Sequence, residues 1–119
     1  MTAWYAKGSV FCMPSNLEPF GIVFLEAMAA GLPVIGLRLG AAPDFVIEGR
    51  TGVLVEPGDI DGLARVLTAI LGNPDRCHLI GTQARALVRE SYSWEQACSL
   101  MADRMMCVVR RRAGAYCWG

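Results

Sequence analysis

Two glutamates stand out in this sequence because of their type and spacing. Glu18 and Glu26 are eight residues apart, in a segment that is predicted to run from a loop into a helix. An ionised carboxylate accepts several hydrogen bonds, so such a pair suits the neighbouring hydroxyl groups of a sugar or a ribose. The spacing alone also fits ordinary structural acids. The pair therefore predicts a site for a hydroxyl-rich ligand and leaves the structural alternative open.

Glu26 carries most of this argument. It is the only charged side chain between Pro19 and Leu37, and its neighbours in the sequence are mainly apolar. A carboxylate buried among such residues is unfavourable unless hydrogen-bond donors or an Arg accompany it. The sequence therefore predicts that Glu26 either has a partner inside the protein or meets a ligand that supplies donors.

The elements that would position these glutamates follow a β-α-β-α-β order. Strands are predicted over residues 9–13, 33–36 and 52–55, with a helix over 20–30 and a short helix over 43–48. The strands are brief and aliphatic throughout, as is typical of parallel strands that are covered on both faces. The predicted fold is therefore α/β, with a parallel sheet of about three strands and helices on both faces. The loops after such strands meet at one edge, where ligands bind.

Three consecutive helices are predicted after the last strand. Asp59, Asn73 and Ser93 each precede a helical pattern and have the side chains that N-caps favour. The sequence Asp59-Ile60-Asp61 also resembles the D-x-D pattern of some metal sites. The N-cap and the helix dipole account for both acids, so no metal ligand is predicted here.

Composition narrows the range of functions. The chain has 119 residues, of which 54% are hydrophobic and 18% charged, which indicates one globular domain. Eleven basic and eleven acidic residues cancel, so there is no general electrostatic basis for binding nucleic acid. The apolar run from Pro19 to Leu37 contains Glu26, glycines and a proline, and it is predicted to be helix, turn and strand rather than a membrane span.

The cysteines and the histidine predict no catalytic or metal centre. Five cysteines show no C-x-x-C pair, and their number is odd, which favours reduced thiols and a cytoplasmic protein. His78 is the only histidine and lies in a polar stretch, which predicts a surface position. The sequence therefore offers no Ser-His-Asp triad.

Several motifs together resemble one family. They are, in order, Ser15-x-x-Glu18-x-Phe20-Gly21, Glu26-Ala-Met-Ala-Ala-Gly31-x-Pro33, Gly40-x-x-Pro43, Gly49-x-x-Gly52, Pro57-Gly58-Asp59 and Tyr92-Ser-Trp94-Glu95. This combination resembles the retaining glycosyltransferases of group 1, family 4 type, over roughly residues 5 to 105. The resemblance implies a GT-B architecture of two Rossmann-like domains, with the nucleotide-sugar donor held mainly by the C-terminal one.

The resemblance also implies roles for individual residues. Glu18 would contact hydroxyls of the donor sugar at the catalytic centre, and Glu26 would bind the ribose diol. The backbone around Phe20, Gly21 and Ile22 would approach the sugar and the diphosphate. The implied reaction transfers a hexosyl or other glycosyl group from a nucleoside diphosphate sugar to an acceptor hydroxyl, with retention and without a cofactor or metal.

On this resemblance the chain is expected to be a fragment. Residues 1–109 would be the later part of the donor-binding domain, and residues 110–119 a basic and aromatic tail of unknown role. The N-terminal acceptor domain and an upstream Arg and Lys pair that holds the diphosphate would be missing, so the chain alone is expected to be inactive. Ala41 and Asp44 differ from the family's usual glycine and glutamate in the loop on the sugar side.

The expected partners follow from the same comparison. They are a nucleotide-sugar donor, an unidentified acceptor and the missing N-terminal domain, with no nucleic acid. Peripheral membrane association and self-association through an exposed edge of the first strand remain open. So do other functions: a non-catalytic nucleotide-sugar-binding fragment or inactive paralogue, a structural fragment without a ligand, and a nucleotide-sugar epimerase.

Overall fold

A computed structural model describes residues 2–15, 21–92, 95–96, 98–99 and 102–106 of the chain. The elements are, in chain order, α1 (Thr2–Lys7), β1 (Phe11–Met13), α2 (Ile22–Ala29), β2 (Val34–Leu37), α3 (Ala42–Phe45), β3 (Gly52–Val55), α4 (Ile60–Leu71) and α5 (Pro74–Ser91). Residues 95–96, 98–99 and 102–106 are also helical.

The three strands form one parallel sheet in the order β1-β2-β3, which confirms the predicted α/β fold. All four residues of the central strand β2 are buried. Val34 packs in a cluster with Phe24 and Met28 of α2, whereas Ile35 packs with Ile70 of α4. Because neighbouring residues of a strand point to opposite faces, these contacts place a helix on each face of the sheet.

The predicted starts of α4 and α5 are confirmed by their N-caps. The Asp59 side chain accepts a hydrogen bond from the backbone N–H of Gly62 at 2.9 Å, and that of Asn73 accepts one from Arg76 at 3.2 Å. Each bond satisfies a backbone donor that the helix leaves unpaired. The predicted cap of the third helix, Ser93, lies outside the described residues.

The segment that follows Glu26 is a helix end, a turn and a strand, as predicted. Gly31 has φ +82°, and its N–H donates to the carbonyl of Met28 at 2.9 Å. The N–H of Leu32 donates to the carbonyl of Ala27 at 3.1 Å, which closes α2 before β2 begins. In the described part of the chain, no helix combines the length and hydropathy that crossing a bilayer requires.

Several elements differ from the sequence-based expectation: β1 is Phe11–Met13 rather than residues 9–13, and α3 is Ala42–Phe45 rather than residues 43–48. Helix α1 was not predicted, and its Tyr5 packs on Phe11 with ring centroids 5.8 Å apart. Six residues are too few to show a helical period, so this helix depends on tertiary packing. Helix α2 begins at Ile22 rather than at residue 20, because Gly21 adopts the left-handed conformation.

Candidate functional site

The loops that follow the strands meet at the carboxyl edge of the sheet, as predicted for parallel strands. Pro14 follows β1, while Leu37 and Val55 end β2 and β3, and all three line one cavity of about 260 Å³. The other lining residues are Glu56, Gly58, Asp59, Ile60 and Leu63. This edge is where the sequence places a ligand.

Gly21 fixes the start of α2 at this edge. It has φ +70°, and its carbonyl accepts hydrogen bonds from the N–H groups of Phe24 and Leu25 at 3.1 and 3.4 Å. A Cβ at this position would overlap the ring of Phe45, with Cδ2 at 2.7 Å. Glycine is therefore required at position 21 because the backbone packs closely against Phe45 of α3. This packing explains the glycine without any need for a ligand to approach the backbone.

Glu26 is exposed, which corrects the expectation that its carboxylate is buried among apolar residues. Its neighbours in α2 take the buried positions instead: Phe24, Leu25, Ala27 and Met28. Glu26 lies on the remaining side of the helix, where solvent or a ligand can reach the carboxylate. Because Glu26 is exposed, its carboxylate needs no hydrogen-bond partner within the protein to offset a cost of burial.

Glu26 nevertheless has one internal partner. The Tyr5 hydroxyl donates a hydrogen bond to Oε2 of Glu26 at 3.2 Å. Burial raises the pKa of Tyr5, and the hydrogen bond to Glu26 and its negative charge raise it further. The phenol is therefore a protonated donor at neutral pH. No motif in the sequence pointed to Tyr5, because its helix α1 is too short to show a helical pattern.

The structure places part of the predicted site. Gly21 is buried at the N-terminus of α2, Ile22 is the first residue of the helix, and Glu26 follows one turn later. Glu18 and Phe20 fall outside the described residues. The described portion of the site is thus the first two turns of α2 together with Tyr5.

A charged network that the sequence did not reveal connects the loops after β2 and β3. Arg38 Nε donates to Oε1 of Glu56 at 2.7 Å, and Arg38 Nη2 lies 3.5 Å from Oε2 of Glu48. The N–H of Arg38 also donates to the carbonyl of Val55 at 2.9 Å. The network holds the two loops together beside the cavity.

Within the part of the chain that the structure describes, His78, Cys77 and Cys12 do not line the cavity at the carboxyl edge. His78 is exposed, as predicted. The Cys77 thiol donates to the carbonyl of Ser9 at 3.2 Å. Cys12 is an exposed residue, and partial desolvation of its thiol raises the pKa, which makes it less reactive at neutral pH. Within the described ranges, no group of three or more His, Cys, Asp or Glu side chains could hold a metal ion.

Comparison with known proteins identifies the family. The model of the family "Glycosyl transferases group 1" matches residues 1–87. The sulfoquinovosyl transferase SQD2 of Arabidopsis thaliana is 43% identical over 96 residues, which are 78% of this chain and 19% of the plant protein.

Solved structures share the fold. Sucrose-phosphate synthase from Thermosynechococcus elongatus superposes with a TM-score of 0.75 at 34% identity, covering 91% of this chain and 27% of that one. The Anabaena protein Alr3699/HepE, solved in complex with UDP, superposes with a TM-score of 0.74 at 26% identity, covering 87% of this chain and 29% of that one.

The chain corresponds to only a part of the proteins that it matches. This chain spans about a fifth of the length of the curated plant relative that it matches. Its parallel sheet and the helices on each face correspond to part of a GT-B glycosyltransferase. With the family match extending from the first residue through most of α5, this chain belongs to the group 1 glycosyl transferases.

Proposed function

We propose that this chain is the donor-binding part of a retaining glycosyltransferase that uses a nucleoside diphosphate sugar. The observation that carries the proposal is the position of Glu26. Glu26 is an exposed residue of α2, the helix that follows β1 in the chain, and only one of its carboxylate oxygens bonds to Tyr5. A carboxylate so placed can accept hydrogen bonds from two adjacent hydroxyls of a ribose.

The remaining roles follow along the same segment. Glu18 takes hydroxyls of the donor sugar, and the backbone around Phe20, Gly21 and Ile22 approaches the sugar and the diphosphate. The N-terminus of α2 carries a partial positive charge of about one half, which favours a diphosphate that gains negative charge as it leaves. No metal is needed where cations and this helix terminus neutralise that charge.

The reaction proposed is transfer to an acceptor hydroxyl with retention at the anomeric carbon. The leaving phosphate accepts the proton of that hydroxyl. A nucleotide donor is supported by the Anabaena relative, which was solved with UDP and also with UDP and glucose. Those ligands belong to that protein, and the base and sugar used by this chain are left open.

Transfer by the 119-residue chain alone is not expected. The proposed enzyme draws its acceptor site from an N-terminal domain and its diphosphate cations from an Arg and a Lys, none of which we place in this chain. Each missing charge-assisted contact would remove about 2 to 4 kcal/mol of transition-state stabilisation. The alternative function is a non-catalytic nucleotide-sugar-binding fragment or inactive paralogue, which would bind the nucleotide without transfer in any longer form of the protein.

A calorimetric titration with UDP, GDP and ADP tests the assignment. We expect one of these to bind the wild-type protein, and Glu26→Ala to weaken that affinity on the order of 10-fold to 100-fold, because it removes charge-assisted hydrogen bonds to the ribose. Glu90→Ala, which removes an exposed acid from α5, is the matched control. Equal affinity of the wild-type and Glu26→Ala proteins for every nucleotide would refute the donor site.

A further inference from the structure

We propose that Tyr5 is a positioning residue, which orients the Glu26 carboxylate for the ribose of the donor. The inference deepens the proposed function and rests on it. Tyr5 belongs to α1, which no motif of the sequence singled out, and it reaches Glu26 from 21 residues away in the chain. The hydrogen bond between them joins α1, which precedes β1 in the chain, to α2, which follows it.

The position of the Tyr5 hydroxyl is set by the core. The Tyr5 residue is only 7% exposed, and its ring packs against Phe11 of β1 at 5.8 Å. Phe11 in turn meets Phe24 edge to face, with centroids 5.7 Å apart and an interplanar angle of 86°. Phe24 is 1% exposed and lies two residues before Glu26 on α2. Donor and acceptor are thus held by one continuous set of aromatic contacts.

The hydrogen bond leaves room for a ligand. A carboxylate has about four lone-pair sites, and the Tyr5 hydroxyl occupies one of them. Among the residues that the structure describes, the Glu26 carboxylate has no other hydrogen-bond partner. Oε1 and the second lone pair of Oε2 therefore remain for a pair of adjacent hydroxyls. Tyr5 supports the binding group without competing for it.

The hydrogen bond from Tyr5 would increase the affinity for the ribose by holding the Glu26 side chain in place before the ligand binds. An exposed glutamate samples many rotamers, and a ligand that binds it must restrict them. The Tyr5 hydroxyl restricts part of that freedom before the ligand arrives. Phenylalanine would make the same ring contacts with Phe11, so the hydroxyl is the part of Tyr5 that packing does not explain. Its raised pKa keeps it a donor throughout the neutral range.

The variant Tyr5→Phe tests this role because it removes the hydroxyl and keeps the ring. We expect the dissociation constant for the nucleoside diphosphate that binds the wild-type protein to rise about 3-fold to 10-fold, with a nearly unchanged melting temperature. Tyr92→Phe is the matched control, since Tyr92 also packs on a phenylalanine, Phe45, at 5.7 Å. Wild-type affinity in Tyr5→Phe would overturn the proposal.

A double-mutant cycle shows whether Tyr5 affects nucleotide affinity through Glu26 or through a different part of the protein. If Tyr5 acts through Glu26, adding Tyr5→Phe to Glu26→Ala should produce no further loss of affinity, because alanine leaves no acceptor for the Tyr5 hydroxyl. The effect of Tyr5→Phe should likewise shrink with a 2′-deoxyribonucleoside diphosphate, which lacks one hydroxyl of the diol. Additive losses would show that Tyr5 acts elsewhere and would overturn the inference while leaving the donor site intact. A Glu26→Ala protein with wild-type affinity, or a wild-type protein that binds none of the nucleotides, would contradict the donor site itself.

Discussion

The backbone N–H of Leu54 donates a hydrogen bond to Oε2 of Glu48, with a donor–acceptor distance of 2.9 Å. Leu54 lies on β3, which is at one edge of the sheet. Beside it, the N–H of Gly49 donates to the carbonyl of Gly52 at 2.9 Å. The segment before β3 therefore occupies hydrogen-bonding groups that a neighbouring strand would otherwise use.

Removing this contact should destabilise the protein modestly. We expect Glu48→Ala to lower the free energy of unfolding by about 1 kcal/mol, because it leaves the Leu54 N–H without its acceptor. Glu56→Ala is the control: it removes only an ion pair with Arg38, in which the Glu56 side chain is 65% exposed, and should have a smaller effect. Urea unfolding measures both, and equal losses would contradict a special role for the Leu54 contact.

Gly21→Ala should be more damaging than an alanine at another left-handed glycine. Left-handed backbone costs an L-residue about 1 to 2 kcal/mol in either place. At Gly21 the new methyl group also overlaps Phe45, which adds about 1 to 3 kcal/mol of overpacking. Gly58→Ala is the control, since Gly58 has φ +82° and a Cβ there meets no described atom within 4 Å. Thermal unfolding of the two variants should rank them in this order.

The contact between Tyr5 and Glu26 should be visible in a pH titration of tyrosinate absorbance. The pKa of Tyr5 is raised from its usual value of 10.0, first by burial and then by Glu26. We expect Glu26→Gln to lower the pKa of Tyr5 without returning it fully, because burial remains. The stability linked to this group is present below pH 10.0 and is lost as the pH rises through the higher pKa of the folded state. An unchanged Tyr5 titration in Glu26→Gln would show that the bond is absent in solution.

We predict that the protein self-associates through β1, the edge strand on the opposite side of the sheet from β3. In the described part of the chain β1 pairs only with β2, so its outer side is open to another strand. We expect sedimentation velocity to show concentration-dependent oligomers, and Cys12→Lys to reduce them by placing a charge on this exposed position. Ala69→Lys adds the same charge on α4 and is the control. A wild-type protein that stays monomeric would refute the prediction.

Local patterns were enough to predict much of the fold. Asp59 and Asn73 are N-caps because each bonds to a backbone group three residues away, which a short sequence window contains. The three strands were found from continuous aliphatic runs, although β1 proved shorter than expected. These elements depend on interactions between near neighbours in the chain.

The candidate site was harder to predict, because it depends on contacts between residues that lie far apart in the sequence. Tyr5 meets Glu26 across 21 residues, and the need for glycine at position 21 comes from Phe45 on another helix. The exposure of Glu26 was mispredicted from the apolar composition of its segment. Helix α2 turns Phe24 and Met28 inward and Glu26 outward, so helical geometry rather than composition decides which side chain is buried.

The two edge strands of the sheet, β1 and β3, differ in how accessible they are to another strand. Among the described residues, Glu48 and Gly49 occupy hydrogen-bonding groups on the outer side of β3, whereas no strand lies beside the outer side of β1. Phe11 of β1 packs on Tyr5, which bonds to Glu26, so any strand added beside β1 would pair with the strand that supports the candidate site. A strand added to this sheet would therefore bear on the same strand whose Phe11 holds Tyr5 in place for Glu26.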